Sequence, residues 1–204
     1  MNDLVRTARA AVSGRALSDL LAEEVAPHLP VRDLLTLRGH HHGLSGDELA
    51  DALVRNASLV TAGIGATAGA VAAAERHAAP RLLAAPVQLV AETLAVVAVE
   101  VKLVAELHVV YGRAPRGTRA ELTAAYLTSW AGRRAVDRSG GGSLPASVLT
   151  AATRQQLRQR VVRRFRSNLT SLAPYLVGAA VGAELNRRET RTLGQTLQRD
   201  LRRR

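Results

Sequence analysis

Two apolar runs carry glycines four residues apart, Gly65-Ala-Thr-Ala-Gly69 and Gly178-Ala-Ala-Val-Gly182. At about 3.6 residues per turn such glycines stack on one helix face, where the missing Cβ lets a second backbone come close. The second run keeps the same spacing through Asn186, Thr190 and Gly194, with Arg187, Arg188 and Arg191 falling between. This spacing predicts a helix that starts against a neighbour, the Gly65/Gly69 helix, and ends on a basic surface. The chain has only five aromatic residues, Tyr111, Tyr126, Trp130, Phe165 and Tyr175. Ala, Leu and Val must therefore fill most of the core, which again favours elements packed close together.

Apolar residues recur at three and four throughout, and no run of alternating β-branched residues stands between turns. The expected class is all-α, a single-domain helical bundle with two glycine-faced, closely packed apolar helices. Helices are predicted near 16–29, 46–57, 58–78, 86–111, 118–135, 146–172 and 174–202, the last with a break near Gly194. Ser45-Gly-Asp-Glu48 and Thr118-Arg-Ala-Glu121 have the form of capping boxes, and Gly112 follows Tyr111 where a C-cap glycine belongs. One domain spans 1–204, with an N-terminal helical region at 1–45, a core at 46–204, and a flexible loop at 138–144 around Ser139-Gly-Gly-Gly-Ser143.

Cysteine is absent, which excludes disulfides, thiolate metal sites and a cysteine nucleophile. The first 24 residues lack the apolar centre of a secretory signal, so a cytoplasmic chain is expected. The longest uncharged window, 57–74, is mainly Gly, Ala, Ser and Thr, and the more apolar 86–111 helix carries Glu92, Glu100, Lys102 and Glu106. Each such charge costs about 2.5–3.5 kcal/mol at mid-bilayer, so neither segment is expected to span a membrane. Gly63-Ile-Gly65-Ala-Thr-Ala-Gly69 imitates a dinucleotide-binding loop, yet only Leu59-Val60 stand where a strand should precede it. No cofactor is expected.

Glu92, Glu100 and Glu106 could act as acids or bases if buried. Glu92 and Glu100 are about 12 Å apart along a helix axis and Glu100 and Glu106 about 9 Å, too far for a close dyad. Lys102 and Glu106 stand at the i,i+4 spacing of an ion pair, and His108 misses the Glu-x-x-His spacing of a metal site. The expected role is a polar stripe facing solvent or another helix. Gly39-His-His-His-Gly43 reads as an exposed loop, because three successive imidazoles point in different directions. No catalytic or metal-binding residue is assigned.

Charge is the clearest pointer to a partner. Residues 1–130 hold 12 basic and 13 acidic residues, net −1, whereas residues 131–204 hold 16 arginines and 4 acids, net +12. On a helical wheel of 153–172, Leu157, Val161, Val162, Phe165, Leu169 and Leu172 share one side while Arg160, Arg163, Arg164 and Arg166 share the other. With Arg187, Arg188 and Arg191 they form the expected basic surface. It suits an anionic membrane surface or membrane protein; nucleic acid is disfavoured, because Phe165 points to the apolar side and leaves no stacking platform.

The order of these features resembles the EcsC family of bacterial proteins. The similar residues are Gly63, Gly65 and Gly69, the helix ending Val110-Tyr111-Gly112 with an acidic helix after it, and the terminal series Pro174, Gly178, Gly182, Asn186, Thr190 and Gly194. Together they cover about the last two thirds of the chain. The family's Asp-Leu-Pro triplet is here Ala79-Pro80 or Ala85-Pro86. The resemblance implies a helical protein near the cytoplasmic membrane, in a family named for a neighbour of an ABC transporter, and no catalytic residues. The expected function is therefore a non-enzymatic helical protein that associates peripherally with the inner face of the membrane, or with membrane proteins, through its basic C-terminal third. The alternatives are a hydrophobic-ligand binder or enzyme, with a pocket near Glu92, Glu100, Glu106, Asn186 and Thr190, and a nucleic-acid binder.

Overall fold

A computed structural model of the 204-residue chain describes residues 14–74, 85–133, 151–168 and 177–203. Among them are α1 (Gly14–Leu20), α2 (Leu34–His40), α3 (Gly46–Ala74), α4 (Ala85–Val110), α5 (Arg119–Gly132), α6 (Ala151–Asn168) and α7 (Val177–Arg203), with no strand. The fold is an all-α bundle. After α1 the chain makes a π-turn over Leu21–Val25 and a 3-10 turn over Ala26–His28, so the single helix expected at 16–29 is broken into pieces, with Pro27 opening the last. No described helix is long and apolar enough to cross a membrane.

Local chemistry accounts for several boundaries. Thr118 and Glu121 form the expected reciprocal cap of α5: the Glu121 N–H donates to Thr118 Oγ1, and the Thr118 N–H donates to Glu121 Oε2 at 2.6 Å. Gly112 ends α4 with φ +62°, the left-handed backbone that glycine adopts without strain. The short α2 was not expected. Asp33 Oδ1 accepts from the Thr36 N–H at 2.7 Å and starts a helix of two turns, too short for its periodicity to be read. His40 belongs to its last turn, and His42 and Gly43 follow with positive φ.

The segments expected at 46–57 and 58–78 form one helix up to Ala74; 75–78 lie outside the described residues. Ser58 and Thr61 do not interrupt it, because their hydroxyls donate back to the carbonyls of Val54 and Ser58. Nor does α7 break at Gly194. A Cβ there would lie 2.5 Å from Val54 Cγ2, so the glycine is where a valine of α3 seats against α7. The loop expected at 138–144 lies outside the described residues.

α3 and α7 run antiparallel and share the most extensive helix–helix interface. Their contacts can be followed from end to end. Arg202 meets Asp47 at 2.8 Å, Gln198 meets Asp51 at 2.9 Å, Gly194 meets Val54, and the Thr61 and Thr190 hydroxyls are 3.0 Å apart. Next, a Cβ on Gly65 would lie 2.8 Å from both the carbon and the oxygen of the Gly182 carbonyl group, and 2.7 Å from Asn186 Nδ2. Gly69 and Gly178 stand on the same helices one turn further on, where the surroundings lie outside the described residues.

α4 is the central helix and touches α3, α5, α6 and α7. Leu103, Val104, Ala105, Glu106, Leu107 and His108 are buried in succession, as expected of a helix surrounded on all sides. The N-terminal region joins the same core: Leu17, Leu21, Ala26 and Leu37 cluster with Leu53, Val97, Leu127, Trp130, Leu157 and Leu193.

The Gly65 contact yields a sharp comparison. Gly65→Ala forces a methyl group into the α7 backbone and is expected to cost about 1–3 kcal/mol, the usual range for overpacking. Gly63→Ala meets nothing within 4 Å and should be neutral or stabilise by up to about 1 kcal/mol through helix propensity. Chemical-denaturation midpoints of the two variants check this, and equal effects would contradict the close approach.

Candidate functional site

Glu100 sits on the inner face of α4 and is only 2% exposed. A buried carboxylate needs donors, and this one draws them from three helices. Its Oε1 accepts from Arg164 Nη2 of α6 and Thr190 Oγ1 of α7, both at 2.9 Å, and its Oε2 accepts from the Trp130 indole N–H of α5 at 2.9 Å. Thr61 of α3 extends the chain by its contact with the Thr190 hydroxyl. One buried carboxylate thus connects the five long helices among the described residues, α3 to α7.

Trp130 is engaged twice. Its indole edge donates to Glu100, while the Arg160 guanidinium lies over its ring at 4.4 Å and donates to its backbone carbonyl. Arg164 also pairs with Glu189. Burial lowers the Arg160 pKa to about 10; Glu100 opposes this, and the neighbouring charges of Arg133 and Arg164 add to it.

This arrangement corrects the expected basic surface. Arg160 and Arg164 are buried, at 9% and 3% exposure, whereas Arg163, Arg166, Arg188 and Arg191 are exposed. The physical reason is helical position: Arg160 and Arg164 stand three and seven residues after buried Leu157, on the side that faces α4 and α5. Arg187 is half-buried and forms a two-bond pair with Glu184 at 2.7 and 3.0 Å, and Arg188 pairs with the same carboxylate. Hydrogen bonds from these two arginines hold the Glu184 pKa down at about 2.

Of the two facings expected for the glutamates, solvent or another helix, the structure excludes solvent: Glu92, Glu100 and Glu106 are all buried, and Glu100 faces neighbouring helices. Glu106 receives two hydrogen bonds from Arg32, at 2.8 and 2.9 Å, and pairs with Lys102 at the expected i,i+4 spacing. Lys102 also donates to the Pro30 carbonyl, tying the 29–33 segment to α4. Burial works to raise the Glu106 pKa, but the hydrogen bonds and charges of Arg32 and Lys102 outweigh it, and the net shift is downward.

The expected pocket residues are therefore divided among different environments. Asn186 and Thr190 are buried at the α3–α7 crossing, and Asn186 Nδ2 has no hydrogen-bond partner among the described residues. Two half-open grooves, of about 650 and 550 Å³, lie elsewhere. The larger is bounded by Asp19, Glu23, Arg119 and Arg154, the smaller by Val31, Arg32, Val101 and Tyr126, and neither is lined by the three glutamates. Glu100 instead lies at the base of a dent of about 10 Å³ whose walls include Arg133, Arg160, Arg163, Arg164 and Glu189. Trp130, Thr61 and Arg32 were not anticipated as site residues, because the partners that bring them there, Glu100, Thr190 and Glu106, are 30 or more positions away.

Two substitutions separate the ionic centres. Glu100→Gln removes the buried charge that faces Arg164 and leaves it the part-exposed Glu189, and loss of one partner of a buried pair is expected to cost about 3–5 kcal/mol in denaturant unfolding. A cost below about 1 kcal/mol would mean that the pair is dispensable. The lowered Glu106 pKa makes its contribution complete above the ordinary value of 4.5 and lost as pH falls through the lower folded value. The stability gap between the parent and Glu106→Gln should therefore close as pH falls below about 4.5, and a gap constant from about pH 7 to 3 would contradict that linkage. Compared with known protein families, curated proteins and solved structures, the chain matches none.

Proposed function

We propose that this chain is a non-enzymatic helical module that docks peripherally on an anionic membrane surface, at the cytoplasmic face, through the outer side of α6. The observation that carries this reading is how α6 spends its arginines. Arg160 and Arg164 turn inward, while Arg154, Arg158, Arg163 and Arg166 are exposed on a helix with no acidic residue. Arg158, Arg163 and Arg166 form no ion pair among the described residues. Gln155, Gln156 and Gln159 lie exposed among them and add hydrogen-bonding capacity without opposing charge.

A basic side chain close to an anionic bilayer contributes about 1 kcal/mol, so three unpaired arginines supply about 3 kcal/mol, or roughly 100-fold in affinity. The resemblance to the EcsC family, carried by Gly63, Gly65, Gly69 and the series from Pro174 to Gly194, points toward the same membrane face. The non-enzymatic reading is supported by the use made of the carboxylates: Glu100 and Glu106 are bound by Arg164, Trp130, Thr190, Arg32 and Lys102, which leaves neither poised as a general base.

Vesicle co-sedimentation tests the proposal. Binding to phosphatidylglycerol vesicles should exceed binding to phosphatidylcholine vesicles at low salt and weaken as salt rises. The triple variant Arg158→Gln, Arg163→Gln, Arg166→Gln should bind about 100-fold more weakly. Equal and negligible binding to both vesicle types at low salt would end the proposal.

A further inference from the structure

Among the described residues only two arginines are buried, and they are unequally served. Arg164 faces Glu100 and Glu189. Among the described residues Arg160 has no carboxylate within ion-pair distance; it meets one carbonyl and one indole ring. Among the described residues, the dent above Glu100 is lined by four guanidinium groups, from Arg133, Arg160, Arg163 and Arg164, and two carboxylates, from Glu100 and Glu189. Of these described charges two positive ones are left over at a place partly withdrawn from water, where an uncompensated charge is costly. Arg164 Nε is buried without a hydrogen-bond partner among the described residues. Arg133 reaches this rim from the residue that ends α5, with φ +54°, a left-handed conformation uncommon outside glycine.

We infer that this opening is an oxyanion site for a phosphate monoester group, a dianion matched to the two surplus charges. The volume of about 10 Å³ admits about one water-sized atom. A single phosphate oxygen enters, and the rest of the group stays at the surface between Arg133 and Arg163. Charge-assisted hydrogen bonds from arginine suit the tetrahedral oxygens, and a monoester carries about −1.5 to −2 at neutral pH. The group can come from a lipid headgroup or from free phosphate. Arg163 is shared with the docking proposed above, whereas Arg133 and Arg160 take no part in it, so Arg133→Asn tests this site separately from that docking.

The test is calorimetric titration of the full chain with inorganic phosphate against chloride at equal ionic strength, with circular dichroism confirming that each variant is folded. Saturable one-to-one binding is expected. Arg133→Asn and Arg163→Gln should each weaken it about tenfold, the effect of one charge-assisted contact. Arg158→Gln, an equal loss of charge on the outer side of α6, should change it by less than about twofold. A second arm compares vesicles containing phosphatidic acid, a monoester, with phosphatidylglycerol vesicles of equal surface charge. Preference for phosphatidic acid, competed by inorganic phosphate, supports the site and assigns the headgroup as source. Saturable phosphate binding without vesicle preference supports the site and assigns free phosphate. Absence of saturable binding in both arms, or equal weakening by Arg133→Asn and Arg158→Gln, overturns the inference.

Discussion

A charged carboxylate at the centre of a helix bundle is the constraint on which this architecture turns. Glu100 is almost wholly withdrawn from water, so donors must come to it, and they come from Arg164, Thr190 and Trp130 on three helices. Apolar packing among Ala, Leu and Val is tolerant of small rotations and shifts. A guanidinium, a hydroxyl and an indole N–H converging on two oxygen atoms are not. The ionic layer therefore gives the relative placement of α4, α5, α6 and α7 a specificity that the aliphatic core supplies less sharply.

That layer depends on the glycine contact beside it. Thr61 and Thr190 come within 3.0 Å because α3 and α7 approach closely, and Gly65 and Gly182 are where their backbones approach without an intervening side chain. The neighbouring Gly194, filled by Val54, maintains the approach further along. Small residues and the polar layer form one device: the former remove the separation that side chains would impose, and the latter gives the short distance hydrogen bonds to make.

The arginines of α6 perform two physical tasks from a single helix. Those on the inner side neutralise Glu100 and cover Trp130, while Arg158, Arg163 and Arg166 on the outer side form no ion pair among the described residues. Arg163 stands at the boundary, lining the dent over the buried layer and facing solvent. This division couples the bundle's interior to its outer surface, because the rim of a prospective anion site is built on the helix that holds the central ion pair in place.

The sequence alone determined the all-α class, the cap of α5 by Thr118 and Glu121, the pairing of Lys102 with Glu106, and the concentration of positive charge after residue 131. Each of these arises from residues near one another in the chain or from composition, so periodicity and spacing suffice. Tertiary structure alone decided that Arg160 and Arg164 turn inward, that Arg32 reaches Glu106, and that Thr61, Trp130, Arg164 and Thr190 meet at Glu100. An arginine on a helix wheel looks the same whether its buried partner exists or not. Only the packing of distant helices supplies that partner, and with it the free energy that makes burying the charge tolerable.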